Sequence, residues 1–142
     1  AVLGDGPEAL SLAPGTVPPS SVVLAGTRAF DPAEASRAAD LAATVTADQL
    51  ADPATLAEAV EATGASAVFV HIDLDVLDPA ALGGVIEPVP FGIDVPQLVA
   101  ALQRLRSATP LAGAAITGFA PASPAAAVDD LGAILRVVGA LV

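Results

Sequence analysis

Residues 66–79 read SAVFVHIDLDVLDP, an apolar run followed by closely spaced acidic residues. Its first part, from Ser66 to Leu74, is apolar and rich in β-branched residues, which predicts a strand buried on both faces. The following segment, residues 77–92, is interrupted by prolines and glycines and predicts an irregular loop. Acidic side chains therefore stand where a buried strand gives way to a loop.

Three polar side chains of this stretch are expected to share one side of the strand. Alternate residues of an extended strand face the same way, so the pattern places His71, Asp73 and Asp75 together. Ligand sites of open α/β sheets lie at the carboxyl ends of the strands, which is where the two aspartates stand. Two carboxylates this close repel each other unless a cation lies between them or one is protonated. Because oxygen ligands of this kind suit Mg²⁺ or Mn²⁺, the pattern predicts a divalent-cation site.

Simpler interpretations stay open for each of these residues. Asp73 and Asp75 also fit the end of a strand and the start of a turn, and Asp78 before Pro79 is ordinary turn chemistry. His71 is the only histidine of the chain. It is expected to pack, or to support a ligand through a hydrogen bond, rather than to bind a metal directly. Asp78 is a candidate for a similar supporting position.

Helix and strand signals alternate on both sides of this stretch. Four helix starts carry an Asp or Ser cap, three of them with proline at the next position. These starts are Asp31, Asp52, Asp94 and Ser123. The first helix is expected to reach about Ala42. The predicted strands lie near residues 21–26, 44–46, 66–74 and 113–119. This order predicts right-handed βαβ units in a three-layer α/β/α sandwich with a mainly parallel sheet, as a single domain over residues 1–142.

The composition excludes several classes of function. The formal net charge is −11 and the five cationic side chains are scattered arginines, so the sequence predicts no binding to nucleic acid or to anionic membranes. The absence of cysteine excludes disulfides, thiolate metal sites and a cysteine nucleophile. With no long apolar run and no signal peptide, a cytoplasmic protein is expected. The sequence contains no methionine, so we expect a processed product or a piece of a longer chain.

The acidic loop also carries a family resemblance. Residues 73–79, DLDVLDP, resemble the D-x-D-x-L-D-P element of the ureohydrolases, which include arginase, agmatinase and formiminoglutamase. Residues 22–35, with a Gly-x-Arg element, and residues 87–105 and 113–122 are similar to neighbouring parts of the same family. The resemblance covers the C-terminal half of such an enzyme. It implies an arginase-like fold and a binuclear manganese (Mn²⁺) site to which Asp73 and Asp75 contribute ligands.

The resemblance also implies a function and shows where this chain departs from the family. The implied reaction is metal-assisted hydrolysis of a C–N bond in a small guanidino or amidino substrate, in a protein that commonly forms homo-oligomers. Relatives take further ligands from Gly-Gly-Asp-His and Asp-Ala-His-x-Asp elements, which this sequence lacks. Gly118 stands where many relatives have a glutamate. The metal site is therefore expected to be incomplete and the isolated chain to be inactive.

Two other functions fit part of the pattern. A haloacid-dehalogenase-type phosphatase also places D-x-D at the end of a buried strand, with the first aspartate as nucleophile. That family usually has Thr or Val where this chain has Leu77, and it uses a downstream lysine, which this chain lacks. The other alternative is a non-catalytic ureohydrolase-like remnant that acts as an assembly or regulatory module. The missing ligands and Gly118 favour this second alternative.

Overall fold

The computed structural model describes residues 17–28 and 30–142 of the chain. Within these residues the strands are β1 (Val23–Thr27), β2 (Ala43–Thr46), β3 (Val68–Asp73) and β4 (Leu111–Thr117). The helices are α1 (Pro32–Ala38), α2 (Pro53–Glu61), α3 (Val95–Ala108) and α4 (Pro124–Leu141). Short 3-10 helices lie at Pro19–Ser21, Gln49–Ala51 and Leu74–Val76. This alternating order of strands and helices is the one that the sequence predicts.

The helices begin where their capping residues predict. Asp31 and Asp94 each form a capping box, in which the cap and the third helical residue exchange side-chain to backbone hydrogen bonds. Helix α1 ends at Ala38, short of the predicted Ala42. The backbone N–H of Ala42 donates instead to the carbonyl of Val22 at 3.0 Å, which brings the chain back beside β1. The helix is therefore shortened by the pairing of the strands on either side of it.

Both pairs of strands are parallel. Strand β1 pairs with β2, and β3 pairs with β4 in a register that places Asp73 beside Thr117. In the described part of the chain the two pairs form separate two-stranded sheets, so each strand has one hydrogen-bonded neighbour. Parallel pairing brings the carboxyl ends of β3 and β4 to the same end of their sheet. The predicted α/β class with parallel strands is confirmed, in the form of a partial sandwich.

The apolar core joins β3 and the loop after it to the helices. Helix α3 packs against both α2 and α4. The largest buried side chains of this cluster are aliphatic: Leu74, Leu77, Leu82, Leu102 and Val137. Each such side chain contributes about 1.5–3 kcal/mol on burial, so Leu74, Leu77 and Leu82 anchor the loop after β3 in the core. None of the helices in residues 17–28 and 30–142 combines the length and apolarity needed to cross a membrane.

Strand β3 differs from its prediction in two respects. It ends at Asp73, and the next three residues form a 3-10 helix, so the alternation of strand side chains does not extend to Asp75. The prediction of burial on both faces is wrong, because Ile72 is 5% exposed whereas Phe69 on the other face is 62% exposed. The described helices cover the side that carries Ile72. An apolar run indicates that a strand packs on something, and the fold decides which face is covered.

Candidate metal centre

Asp73 and Asp75 lie on either side of the point where the chain leaves β3. Asp73 is the last residue of the strand, and its Oδ1 accepts a hydrogen bond from the backbone N–H of Asp75 at 3.1 Å. Leu74 and Leu77 are 0% and 1% exposed and anchor the turn in the core. In the D-x-D-x-L order a buried leucine thus lies on either side of Asp75, and these leucines keep the acids at the end of the strand. Convergence of the two carboxylates on one cavity stays a prediction.

One oxygen of Asp75 lacks a partner. Its Oδ1 is buried and has no hydrogen-bond donor within reach. Burying a carboxylate oxygen without a donor costs free energy, which a bound cation would offset. Oxygen ligands from neighbouring aspartates suit Mn²⁺ or Mg²⁺, so Asp75 fits the part of a metal ligand. The fit is partial, because the described residues contain no group of three or more His, Cys, Asp or Glu side chains that could hold a metal ion.

The backbone of this turn is held by the segment that ends β1. The guanidinium of Arg28 donates from Nη1 to the carbonyl of Val76 at 2.9 Å and from Nη2 to the carbonyl of Asp75. Gly26 has a φ of +82°, and a Cβ at this position would collide with the side chain of Val76. Glycine adopts such a φ without steric cost. The Gly-x-Arg element therefore acts on the acidic turn: the glycine permits the close approach, and the arginine fixes two carbonyl groups.

Gly118, directly after β4, lies against the carboxylate of Asp73. Its φ is +85°, and a Cβ there would collide with Oδ1 of Asp73 and lie 3.2 Å from the backbone nitrogen of Leu74. The glycine is therefore required by backbone conformation and by space. Sequence reasoning identifies Gly118 only as a missing acid, because its contact with Asp73 arises from the pairing of β3 with β4.

His71 lies on the same side of β3 as Asp73, and both side chains are exposed. Its Nε2 lies 3.0 Å from Oγ1 of Thr117, the residue beside Asp73 in the ladder. This hydrogen bond ties the carboxyl ends of β3 and β4 together next to the acidic turn. Sequence reasoning misses Thr117, since only the strand register brings its hydroxyl to this site.

Asp78 organises the loop that follows the acidic turn. Its Oδ1 accepts the N–H of Ala80 at 2.9 Å, and its Oδ2 accepts the N–H of Phe91 at 2.8 Å. The hydrogen bond from Ala80, with others from Phe91 and Gly92 and the nearby charge of Arg28, holds the pKa of Asp78 below its ordinary value, against the effect of desolvation. Both oxygens are engaged by the backbone, so Asp78 ties the turn at residue 80 to the loop at residue 91.

Comparison with solved structures relates this arrangement to known proteins. Arginase from Bacillus subtilis is 25% identical, with a TM-score of 0.82 over 99% of this chain and 50% of its own. Arginase from Bacillus caldovelox is 24% identical, with a TM-score of 0.83 over the same shares. Proclavaminate amidino hydrolase from Streptomyces clavuligerus shares the fold at 23% identity, with a TM-score of 0.65 over 89% of this chain and 40% of its own. The chain spans about half the length of the arginases that it matches.

Comparison of the sequence with family models gives one assignment. The model of the arginase family matches residues 8–135, which is most of the chain. No curated protein matches the sequence at a significant level. The family match decides between the two family resemblances in favour of the ureohydrolases. With its acidic turn at the end of a parallel strand and its arginase-like fold, the chain belongs to the arginase family.

Proposed function

We propose that this chain contributes Asp73 and Asp75 to a binuclear manganese site, and that the assembled site hydrolyses a C–N bond of a small guanidino or amidino compound. The observation that carries the proposal is the buried, unpartnered Oδ1 of Asp75 beside the carboxyl end of a parallel strand. Membership of the arginase family supports the metal and the substrate class. When bound, such a metal pair lowers the pKa of a water molecule and so supplies the nucleophile at neutral pH.

The described residues hold the two ligands in place before any ion arrives. Leu74 and Leu77 are buried on either side of Asp75, and Arg28 binds the carbonyl groups of the turn. A turn that is already ordered loses little conformational entropy when its carboxylates bind a cation. Metal affinity is therefore proposed to depend on the packing of the turn as well as on the carboxylates of Asp73 and Asp75.

The isolated chain is proposed to be inactive. Two-metal catalysis requires both ions to be held at a short, fixed separation, and the described residues offer no cluster of three or more ligands. The loss of groups that only support ligands costs roughly 10–100-fold in affinity or activity, so the loss of most ligands should abolish turnover. The partial ligand set of the described residues also fits one alternative, in which the chain serves as a non-catalytic assembly or regulatory module.

Binding of Mn²⁺ to the chain tests the two ligands. The free ion gives a strong paramagnetic resonance signal, and we expect the wild-type chain to reduce it. Asp75→Asn should weaken this binding by at least about tenfold. The control is Asp129→Asn, which removes the same charge from an exposed position on α4 and should leave binding unchanged. Equal binding by all three proteins would reject the assignment of Asp75.

Activity assays test the reaction. Release of urea or ammonia from arginine, agmatine and guanidinobutyrate is measured with added Mn²⁺. We expect no turnover by the isolated chain, and turnover by an assembly that also supplies the other ligands. Asp73→Ala should abolish that turnover. An assembly that binds Mn²⁺ but hydrolyses none of the three compounds would support the non-catalytic alternative.

A further inference from the structure

We infer that Phe91 is a specificity-determining residue of the proposed site, and that its exposed ring contacts the non-reacting tail of the substrate. This contact selects guanidino or amidino compounds with an uncharged hydrocarbon tail over those with a carboxylate. The substrate class rests on the proposed function, whereas the contact between the ring and an apolar tail can be tested without metal or turnover.

The exposed part of the loop after the acidic turn has its first anchor at the end of β4. Val85 is 7% exposed and forms an antiparallel bridge with Phe119. Phe119 comes directly after Gly118, which lies against the carboxylate of Asp73. This part of the loop therefore begins on the side of the candidate site that carries Asp73.

The second anchor lies on the other side of the acidic turn. The N–H of Ile93 donates to the carbonyl of Val76 at 3.1 Å, and Val76 comes directly after Asp75. Ile93 is 2% exposed, so this end is also fixed in the core. Residues 86–91, which we call the rim segment, run between the two anchors and are all exposed. The rim segment therefore borders the acidic turn from one candidate ligand to the other.

Phe91, the last residue of the rim segment, has a strained backbone. Its φ is +67°, in the left-handed region that a bulky side chain rarely adopts. In this conformation its N–H donates to Oδ2 of Asp78 at 2.8 Å, but glycine would make the same bond without strain. The ring is 83% exposed, so packing against the described residues offsets little of the strain. A strained, exposed aromatic residue beside a candidate site indicates a contact with a molecule that binds there.

The rim segment is mainly apolar and has no cationic side chain. Ile86 and Val89 are 66% and 39% exposed, and the one charged residue of the segment is Glu87. Residues 38–103 contain no Lys or Arg. Arg28 reaches the acidic turn, but both of its Nη nitrogen atoms donate to carbonyl groups there. A substrate carboxylate would therefore meet like charge at the rim, whereas a hydrocarbon tail would cover exposed apolar surface.

These features assign the two ends of the substrate. The cationic guanidino end is attracted to the carboxylates of the acidic turn. Asp78, which binds the N–H of Phe91, is three residues after Asp75, and three residues span at most about 11 Å. A guanidinium with a short hydrocarbon tail, together with the Phe91 side chain, can bridge a distance of this size. The tail therefore lies against the ring when the guanidino end lies at the acidic turn.

Two matched ligands test this assignment. Butylguanidine and guanidinobutyrate share the guanidinium and the chain length, and they differ in a terminal methyl or carboxylate group. Each is titrated into the 142-residue chain without metal, and the NMR chemical shifts of the Phe91 ring and of the amides of residues 76–78 and 91–93 are followed. We expect butylguanidine to shift these signals and to bind at least about fourfold more tightly than guanidinobutyrate, the effect of covering one methylene group.

Variants show whether the ring makes the contact. Phe91→Gly removes the ring and relieves the strain, so it should bind butylguanidine at least about fourfold more weakly while melting at the same or a higher temperature. Phe91→Tyr keeps the ring and should keep the affinity. The control is Phe69→Ala, which removes a ring that is 62% exposed at the opposite end of β3 from Asp73. It should leave the affinity for butylguanidine unchanged.

Weaker binding by Phe91→Gly without a loss of stability supports the inference, because a purely structural residue would lose stability as well. Absence of butylguanidine binding by the wild-type chain would overturn it. Equal affinity of wild type and Phe91→Gly, or equal affinity for the two ligands, would also overturn it. The titration with Mn²⁺ is separate: a chain that binds butylguanidine at Phe91 but no Mn²⁺ would refute the manganese site and support the contact. A chain that binds Mn²⁺ but not butylguanidine would overturn the contact alone.

Discussion

Removal of the Arg28 guanidinium is the sharpest test of how the acidic turn is held. Its two hydrogen bonds reach the carbonyl groups of Asp75 and Val76 in a partly buried setting. Hydrogen bonds from charged donors contribute about 1.5–3 kcal/mol each. After truncation, water hydrogen-bonds to part of the exposed carbonyl groups and offsets some of this loss. We therefore expect Arg28→Ala to lower the free energy of unfolding by about 2–3 kcal/mol. With a urea dependence of roughly 1–3 kcal/mol per molar, the unfolding midpoint should fall by about 1–2 M.

Urea titrations of two control variants isolate the contribution of these bonds. Arg28→Lys keeps the charge but cannot span two carbonyl groups as a planar guanidinium does, so about half of the loss should remain. Arg104→Ala makes the same chemical change at an exposed helical site, where the side chain reaches only Ser107 at 3.2 Å. The urea midpoint of Arg104→Ala should differ from that of the wild type by no more than about 0.3 M, as for an ordinary surface substitution. If Arg28→Ala shifts the midpoint no more than Arg104→Ala, the guanidinium does not hold the turn and this reasoning is wrong.

Three further predictions concern the turn and its neighbours. Leu74→Ala should cost about 2–5 kcal/mol of stability, because it empties a fully buried site between the two aspartates, and it should weaken Mn²⁺ binding as well; urea unfolding and metal titration measure the two effects. Gly118→Ala should lower the free energy of unfolding by at least about 1–2 kcal/mol because of its positive φ alone, with a further loss from contact with Asp73. The NMR chemical shifts of backbone amides around residue 73 should change as well. Because the pKa of Asp78 is lower in the folded chain, its stabilisation is present above the ordinary value of 3.8 and is lost as the pH falls through the folded pKa. Melting temperatures of wild type and Asp78→Asn should therefore differ more at pH 6 than at pH 2, and a constant difference would contradict the assignment.

Features that depend on residues close together in the sequence can be predicted from the sequence alone. A capping box such as that of Asp94 joins residues three apart, so the start of α3 follows from local sequence alone. The apolar, β-branched run before Asp73 likewise predicts a strand, and the observed strand ends at Asp73, one residue before the predicted end. The candidate ligands Asp73 and Asp75 belong to one contiguous motif. Their position at the carboxyl end of a parallel strand was therefore predictable from the order of the elements.

Contacts between distant segments were decided only by the tertiary structure. The bond from Arg28 to Val76 joins residues 48 apart, and it explains why Gly-x-Arg accompanies the acidic turn. The pairing of β3 with β4 sets Gly118 against Asp73, and the helices cover one face of β3 while leaving Phe69 exposed. Capping and strand formation depend on residues within a few positions of each other. Strand pairing and packing depend on which segments meet, and the sequence of one strand does not specify its partner.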